Sequence, residues 1–231
     1  MRTSTPPPSS VGPRWLYLHG FASGPDSTKG VAVARHYAGQ GLHVERLNLR
    51  VPSMEQLRLS AMLDTVRAAM GGPEERAVLI GSSLGGLTAA RVAEQDARVC
   101  ALVLLAPAFR VVPQLRRRMG EAAWQHWRTS GWIETDDFAE QRKVRIHAGF
   151  IEDAEAVDAR TGGWPDVRVP TLIIHGTQDD TCDMNNSRQW AEGKRHVQLV
   201  EVEDGHELTT SLPRILEETD VFLRPWGAGT R

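Results

Sequence analysis

Residues 78–95 read "VLIGSSLGGLTAARVAEQ": an apolar run of strand type, a turn crowded with glycine and serine, then a segment of helical period. The pattern Gly-x-Ser-x-Gly is met across this turn by Gly81-Ser82-Ser83-Leu84-Gly85 and centres on Ser83; centring it on Ser82 would need glycine where Ile80 and Leu84 stand. A serine held on a sharp strand-to-helix turn needs small residues two before and two after it, so that strand and helix can close around it. Its hydroxyl then stands at the carboxyl end of a strand. The start of the helix offers free N–H groups, that of Leu84 among them, to a developing oxyanion. Ser83 is therefore the candidate nucleophile, and Ser82 a neighbour that supports the turn.

Outward from this turn, short apolar runs alternate with longer helical segments. Strands are expected at 14–20, 42–49, 77–81, 99–107, 170–176 and 196–203. Helices are expected at 26–41, closed by Gly41; at 53–72, with Ser53 as cap and Gly71 as stop; and at 84–95, 184–193 and 207–223. That alternation predicts an α/β chain with a mostly parallel central sheet and helices on both faces. One gap is too long for an ordinary crossover: roughly 65 residues separate Leu105 from Thr171. A small cap insertion over about 109–166 is the expectation, with a plain helical crossover and a long surface excursion as the alternative. Within it, residues 113–127 set Leu115, Met119, Ala122 and Trp127 along one helical face, 150–159 read as a short helix, and 144–150 as a short strand.

Charge is close to balanced, at −2, which gives no basic field to draw nucleic acid or an anionic membrane. The 231 residues suffice for one sizeable domain, expected over 14–224 between a Pro/Ser-rich tail at 1–13 and a second tail at 225–231. No stretch has the length of an apolar membrane span, and the first residues lack the apolar core of a signal peptide. Two cysteines, Cys100 in an apolar run and Cys182 in a polar loop, suit a reducing compartment, so a cytoplasmic location is expected.

A serine hydroxyl attacks only when a base takes its proton, so a histidine held by a carboxylate should follow in the order Ser, Asp or Glu, His. "IIHGTQDDTCD" places Asp179 just after an apolar run, and "LVEVEDGHEL" places His206 after the next one. Asp180, Asp183 and Asp204 are rivals for the acid. His19 and His175, each before a glycine at a strand end, suit structural hydrogen bonds, and His36, His43, His126, His147 and His196 read as surface or packing residues. A second oxyanion donor should lie in a loop after an early strand, where "LYLHGFASGPDS" offers the N–H of Phe21. Phe21, Trp124, Trp127 and Phe150 are the expected apolar lining for an acyl group.

"YLHGF", "GSSLGG", "IIHGTQDD" and "DGHE", in that order, resemble the oxyanion loop, nucleophile elbow, acid loop and histidine loop of the α/β-hydrolases, over roughly residues 14–224. "LHGFASGPDSTKG" with "IGSSLGG" is similar to the small YqiA-like esterases. "GWIETDDF" with "FIEDAEAVDA" resembles a related group acting on acyl thioesters and acyl glucuronides. The resemblance implies an α/β-hydrolase fold, Ser83 as nucleophile, His206 as base, Asp179 as acid, and the N–H groups of Phe21 and Leu84 for the oxyanion. The acid loop departs from the family's D-x-V-V-P, reading "DDTCDM" here, which keeps Asp180 as an alternative acid. The implied activity is hydrolysis of small to medium acyl esters or thioesters, with a small-molecule substrate and no metal or organic cofactor. An acyltransferase with the same triad, or a non-catalytic binding protein on this fold, are the alternatives.

Overall fold

The protein is described by a computed structural model covering residues 12–229. Six strands form one parallel sheet: β1 (Arg14–Leu18), β2 (Val44–Leu47), β3 (Ala77–Ser82), β4 (Val99–Leu105), β7 (Thr171–Gly176) and β8 (Val197–Val202), in the order β2-β1-β3-β4-β7-β8. All six expected strands are present, each within the expected range or a residue beyond it. The central pair, β3 and β4, is buried along its whole length, which is why both read as unbroken apolar runs and not as alternating ones.

Side chains alternate across a strand, so each strand feeds two cores. Trp15, Tyr17, Val78, Ile80, Ala101, Val103, Leu172 and Ile174 face one side, where they meet α1 (Thr28–Gly39) and α8 (Leu212–Leu223). Leu16, Leu18, Leu79, Leu102, Leu104 and Ile173 face the other, against α2 (Leu59–Ala69), α3 (Leu84–Gln95) and Trp190 of α7 (Met184–Ala191). The caps follow the sequence in part. Ser27 accepts the N–H of Gly30 at the start of α1, and Gly41 and Gly71 take positive φ just past α1 and α2. Ser53, however, caps a separate turn by accepting from Gln56 N–H, and Arg58 is extended, with its N–H on the carbonyl of Val51, so α2 begins at Leu59.

Between β4 and β7 the chain forms α4 (Val111–Met119), α5 (Glu121–Ser130), an antiparallel hairpin of β5 (Trp132–Asp137) and β6 (Arg142–His147), and α6 (Gly149–Asp158). The single helical face expected over 113–127 is two helices, broken at Gly120, whose φ of 79° and ψ of 159° leave the helical region. Of the expected strand at 144–150, residues 144–147 are the last part of β6 and Gly149 already opens α6; the partner β5 carries too many charges to announce itself as a strand. The insertion is sewn onto the body of the fold. Asp153 of α6 accepts from the N–H and hydroxyl of Ser60 on α2, and buried Arg91 of α3 donates to Asp158. The expected C-terminal tail is packed as far as Gly229: Ala228 is fully buried, Trp226 lies against Phe222, and Gly229 donates to Gln40. Most of the expected N-terminal tail, residues 1–11, lies outside the described residues. Among the described residues no helix is long and apolar enough to cross a membrane.

Candidate active site

Ser83 sits between β3 and α3 with φ 55° and ψ −117°, a conformation that L-residues rarely hold and that costs of order 1–3 kcal/mol. Its surroundings enforce the turn: its N–H donates to Leu105, and its carbonyl accepts from Gly86, Leu87 and Ala108. The two flanking glycines are steric necessities. A Cβ on Gly81 would overlap the backbone of Gly85, and one on Gly85 would overlap the carbonyl of Leu18 on β1. The glycine frame read from the sequence is therefore the space in which α3 meets β1 and β3.

Two further loops leave the same edge of the sheet. His206, after β8, brings Nε2 to 3.1 Å from Ser83 Oγ. Its Nδ1 lies 2.8 Å from Asp179 Oδ2, in the loop after β7. These loops approach closely because residue 176 is glycine; a Cβ there would overlap the carbonyl of Asp204. Asp204 itself turns the histidine loop by accepting from the N–H groups of Gly205 and Ser211. Asp180 is exposed and bonds Thr181, and Asp183 caps α7, so of the four rival acids only Asp179 meets His206.

The Asp179 side chain is wholly buried and accepts four hydrogen bonds. Oδ1 takes the N–H groups of Thr181 and Cys182, both at 2.8 Å, and Oδ2 takes His206 and, at 3.1 Å, His175. Burial pushes this carboxyl up, but the bonds from His175, His206 and the loop backbone outweigh it and hold it far below the usual carboxylate range. The group is therefore an anion at neutral pH.

Phe21 lies in the loop after β1, behind His19 and Gly20. Its N–H and that of Leu84, the first residue of α3, donate to no backbone carbonyl among the turn and loop bonds of the described residues. His19 shapes this loop: Nε2 accepts from Leu49 N–H at 3.0 Å, which leaves Nδ1 to donate to Gly20 at 2.9 Å. The hairpin turn of the insertion rests on the same loop, with Phe138 N–H on the carbonyl of Ala22 at 2.9 Å and Ala139 against Gly24. Arg50 clamps that turn through a two-pronged pair with buried Asp137, at 2.8 and 2.6 Å, and a further contact to Glu140.

The bond from Arg50 holds the Asp137 carboxyl below its ordinary value, against the opposing effect of burial. A carboxylate of depressed pKa stabilises the fold above its unfolded value of about 3.9, and that contribution is lost as the pH falls through the folded value. Asp137→Asn is expected to cost about 2–3 kcal/mol at pH 7, since Glu140 still pairs part of the Arg50 charge. Urea denaturation should show that deficit shrinking as the pH is lowered below about 4. A deficit independent of pH would mean that the ion pair is not its cause.

The expected acyl lining is only partly at the site. Phe21 is half-buried on the loop, and fully buried Phe150 backs its ring at 5.8 Å between centroids. Trp124 and Trp127 are each 2% exposed and pack edge to face inside the insertion, and the indole of Trp127 donates to Ile146. At that burial they are core residues of the insertion and not the open acyl lining expected of them. Two side chains near the site carried no signal in the sequence. Buried Cys182 brings Sγ to 3.9 Å from Ser83 Oγ, and burial, with Asp179 nearby, pushes its thiol up to about 12. Buried Lys29 holds the histidine loop by donating to the carbonyl of Glu207 at 2.8 Å. His36 pairs with Asp220, His147 and His196 bond backbone, and His43 and His126 are exposed. Among the described residues no group of three or more His, Cys, Asp or Glu is placed to hold a metal ion.

A parallel sheet whose carboxyl edge gathers a strained serine, a buried aspartate and a histidine, in that chain order, defines an α/β-hydrolase fold. Mouse alpha/beta hydrolase domain-containing protein 10 superposes with a TM-score of 0.75 at 19% identity, over 93% of this chain and 92% of that one. Est1E from Butyrivibrio proteoclasticus gives 0.72 at 21%, over 93% and 88%, and the Paleococcus ferrophilus monoacylglycerol lipase gives 0.69 at 17%, over 90% and 95%. At these identities the likeness is one of fold. Residues 14–221 match the model of Uncharacterised protein family UPF0227, and the chain belongs to that family. No curated protein matches it.

Proposed function

We propose that this protein is a serine hydrolase that cleaves carboxylic esters or thioesters of small to medium acyl groups through an acyl-enzyme. The observation that carries this reading is the continuous hydrogen-bonded series Ser83 Oγ, His206 Nε2, His206 Nδ1, Asp179 Oδ2, with steps of 3.1 and 2.8 Å, at the carboxyl edge of the sheet. His206 takes the Ser83 proton as Oγ attacks the acyl carbonyl, and Asp179 fixes the imidazole tautomer and stabilises its charged form. The N–H groups of Phe21 and Leu84 receive the oxyanion. His206 then returns the proton to the leaving alkoxide or thiolate, and water releases the acid by the same steps in reverse order. Phe21, backed by Phe150, supplies the apolar wall for the acyl group. That solved neighbours of this fold bear the names esterase and lipase supports the assignment.

Fluorophosphonate labelling of the native protein, followed by peptide mapping, tests it. Label on Ser83, together with turnover of p-nitrophenyl acyl esters and acyl thioesters that falls as the chain lengthens, is the expected result. A native protein that takes no label and turns over neither series would overturn the proposal.

A further inference from the structure

Asp179 Oδ2 is shared by two histidines, and only one of them reaches the nucleophile. On the other side, His175 at the end of β7 is fully buried, with Nε2 at 3.1 Å from Asp179 Oδ2 and 3.0 Å from the carbonyl of Cys182. Both of those partners only accept, so Nε2 carries a proton. Its Nδ1 lies 2.8 Å from the hydroxyl of Ser187, a fully buried residue on α7. The tautomer that satisfies all three contacts has the Ser187 O–H donating to Nδ1 and the Nε2 proton donating to Asp179. A second, sealed Ser–His pair therefore mirrors Ser83 and His206 across one carboxylate oxygen.

We infer that His175, with its Nε2 proton fixed by the two acceptors it faces and its ring held by Ser187, is a positioning residue for the reaction: it holds Asp179 against His206 and sets how strongly that carboxylate attracts the His206 proton. The inference rests on the triad reading above. A carboxylate oxygen with one donor fewer is more basic, so without the His175 proton Asp179 should grip the Nδ1 proton of His206 more tightly and favour the imidazolium. Other groups surround the pair. Glu201 lies beside His175 across β8 and pairs with Arg188, Asp204 and Glu207 occupy the histidine loop, Lys29 reaches in from α1, and Cys182 closes the acid loop. None of them donates a hydrogen to Oδ2 among the described contacts, which leaves His175 as the group whose loss changes that oxygen.

Three variants separate positioning from mere packing. Ser187→Ala removes the hydroxyl that holds the ring at Nδ1. His175→Ala removes the donor. His175→Gln places an amide N–H where Nε2 stood. We expect Ser187→Ala and His175→Ala to lower kcat about 10- to 100-fold with little change in KM, and His175→Gln to recover most of the loss. Titration of the His206 ring protons by NMR should move to higher pH in the two alanine variants and return towards the wild-type position in the glutamine variant. That measurement needs no turnover: if the wild type hydrolyses no ester, the proposed function falls, while the His206 titration still decides this inference. His206 titrating alike in wild type and Ser187→Ala, whatever the activities, would overturn it. Should His175→Ala fail to fold, Ser187→Ala and His175→Gln carry the test alone.

Discussion

Alanine at Ser83 is expected to abolish ester turnover, with a fall in kcat of about 10⁶-fold, and alanine at His206 to do the same. In the proposed mechanism Ser83 and His206 act as one unit, with Oγ 3.1 Å from Nε2, so the double variant should be no worse than either single one. Neither change should unfold the chain. Alanine tolerates the φ of 55° at position 83 no worse than serine does, and His206 is partly exposed at the end of its loop. Turnover of a p-nitrophenyl ester measured beside thermal unfolding separates the two effects, and full activity in either variant would remove that residue from the mechanism.

Asparagine at position 179 should cost about 10⁴-fold in kcat, because a carboxamide turns at least one N–H towards groups that are themselves donors. All four partners of Asp179, two backbone N–H groups and two imidazole nitrogens, are arranged to donate. The amide leaves His206 free to adopt the wrong tautomer. Asp180→Asn is the control: that side chain bonds only Thr181 among the described contacts, and kinetics should not register its loss. Equal losses in the two variants would mean that the acid loop, and not the Asp179 carboxylate, governs the rate.

The sheet was legible because β3 and β4 are apolar on both faces and because β3 and β7 run into glycines, Gly81 and Gly176, that close packing requires. The nucleophile was legible for a steric reason, since only glycine fits at 81 and 85. The acid was not decided by sequence: Asp179 and Asp180 are adjacent, and what separates them is which one the loop turns inward over the N–H groups of Thr181 and Cys182. His175 could be read only as a strand-end histidine, because Ser187 lies a full loop away in the chain. The insertion was the least legible part. Trp124 and Trp127, expected as a pocket wall, are core residues, and β5, "WIETDD", pairs with a single partner and hides its few apolar residues among acids. The C-terminal residues looked loose because Gly and Pro punctuate them, yet Ala228 finds a place against the sheet.

The hydrogen bond from Phe138 to Ala22 joins points roughly 115 residues apart in the chain. In order of synthesis, the loop after β1 emerges among the first ordered residues, while the hairpin that bonds it follows only after β4. The Arg50 to Asp137 pair puts the loop after β2 in the same position. A nascent chain that ends before residue 137 therefore lacks the contacts by which the hairpin fastens the loops after β1 and β2, the loop that carries Phe21 among them.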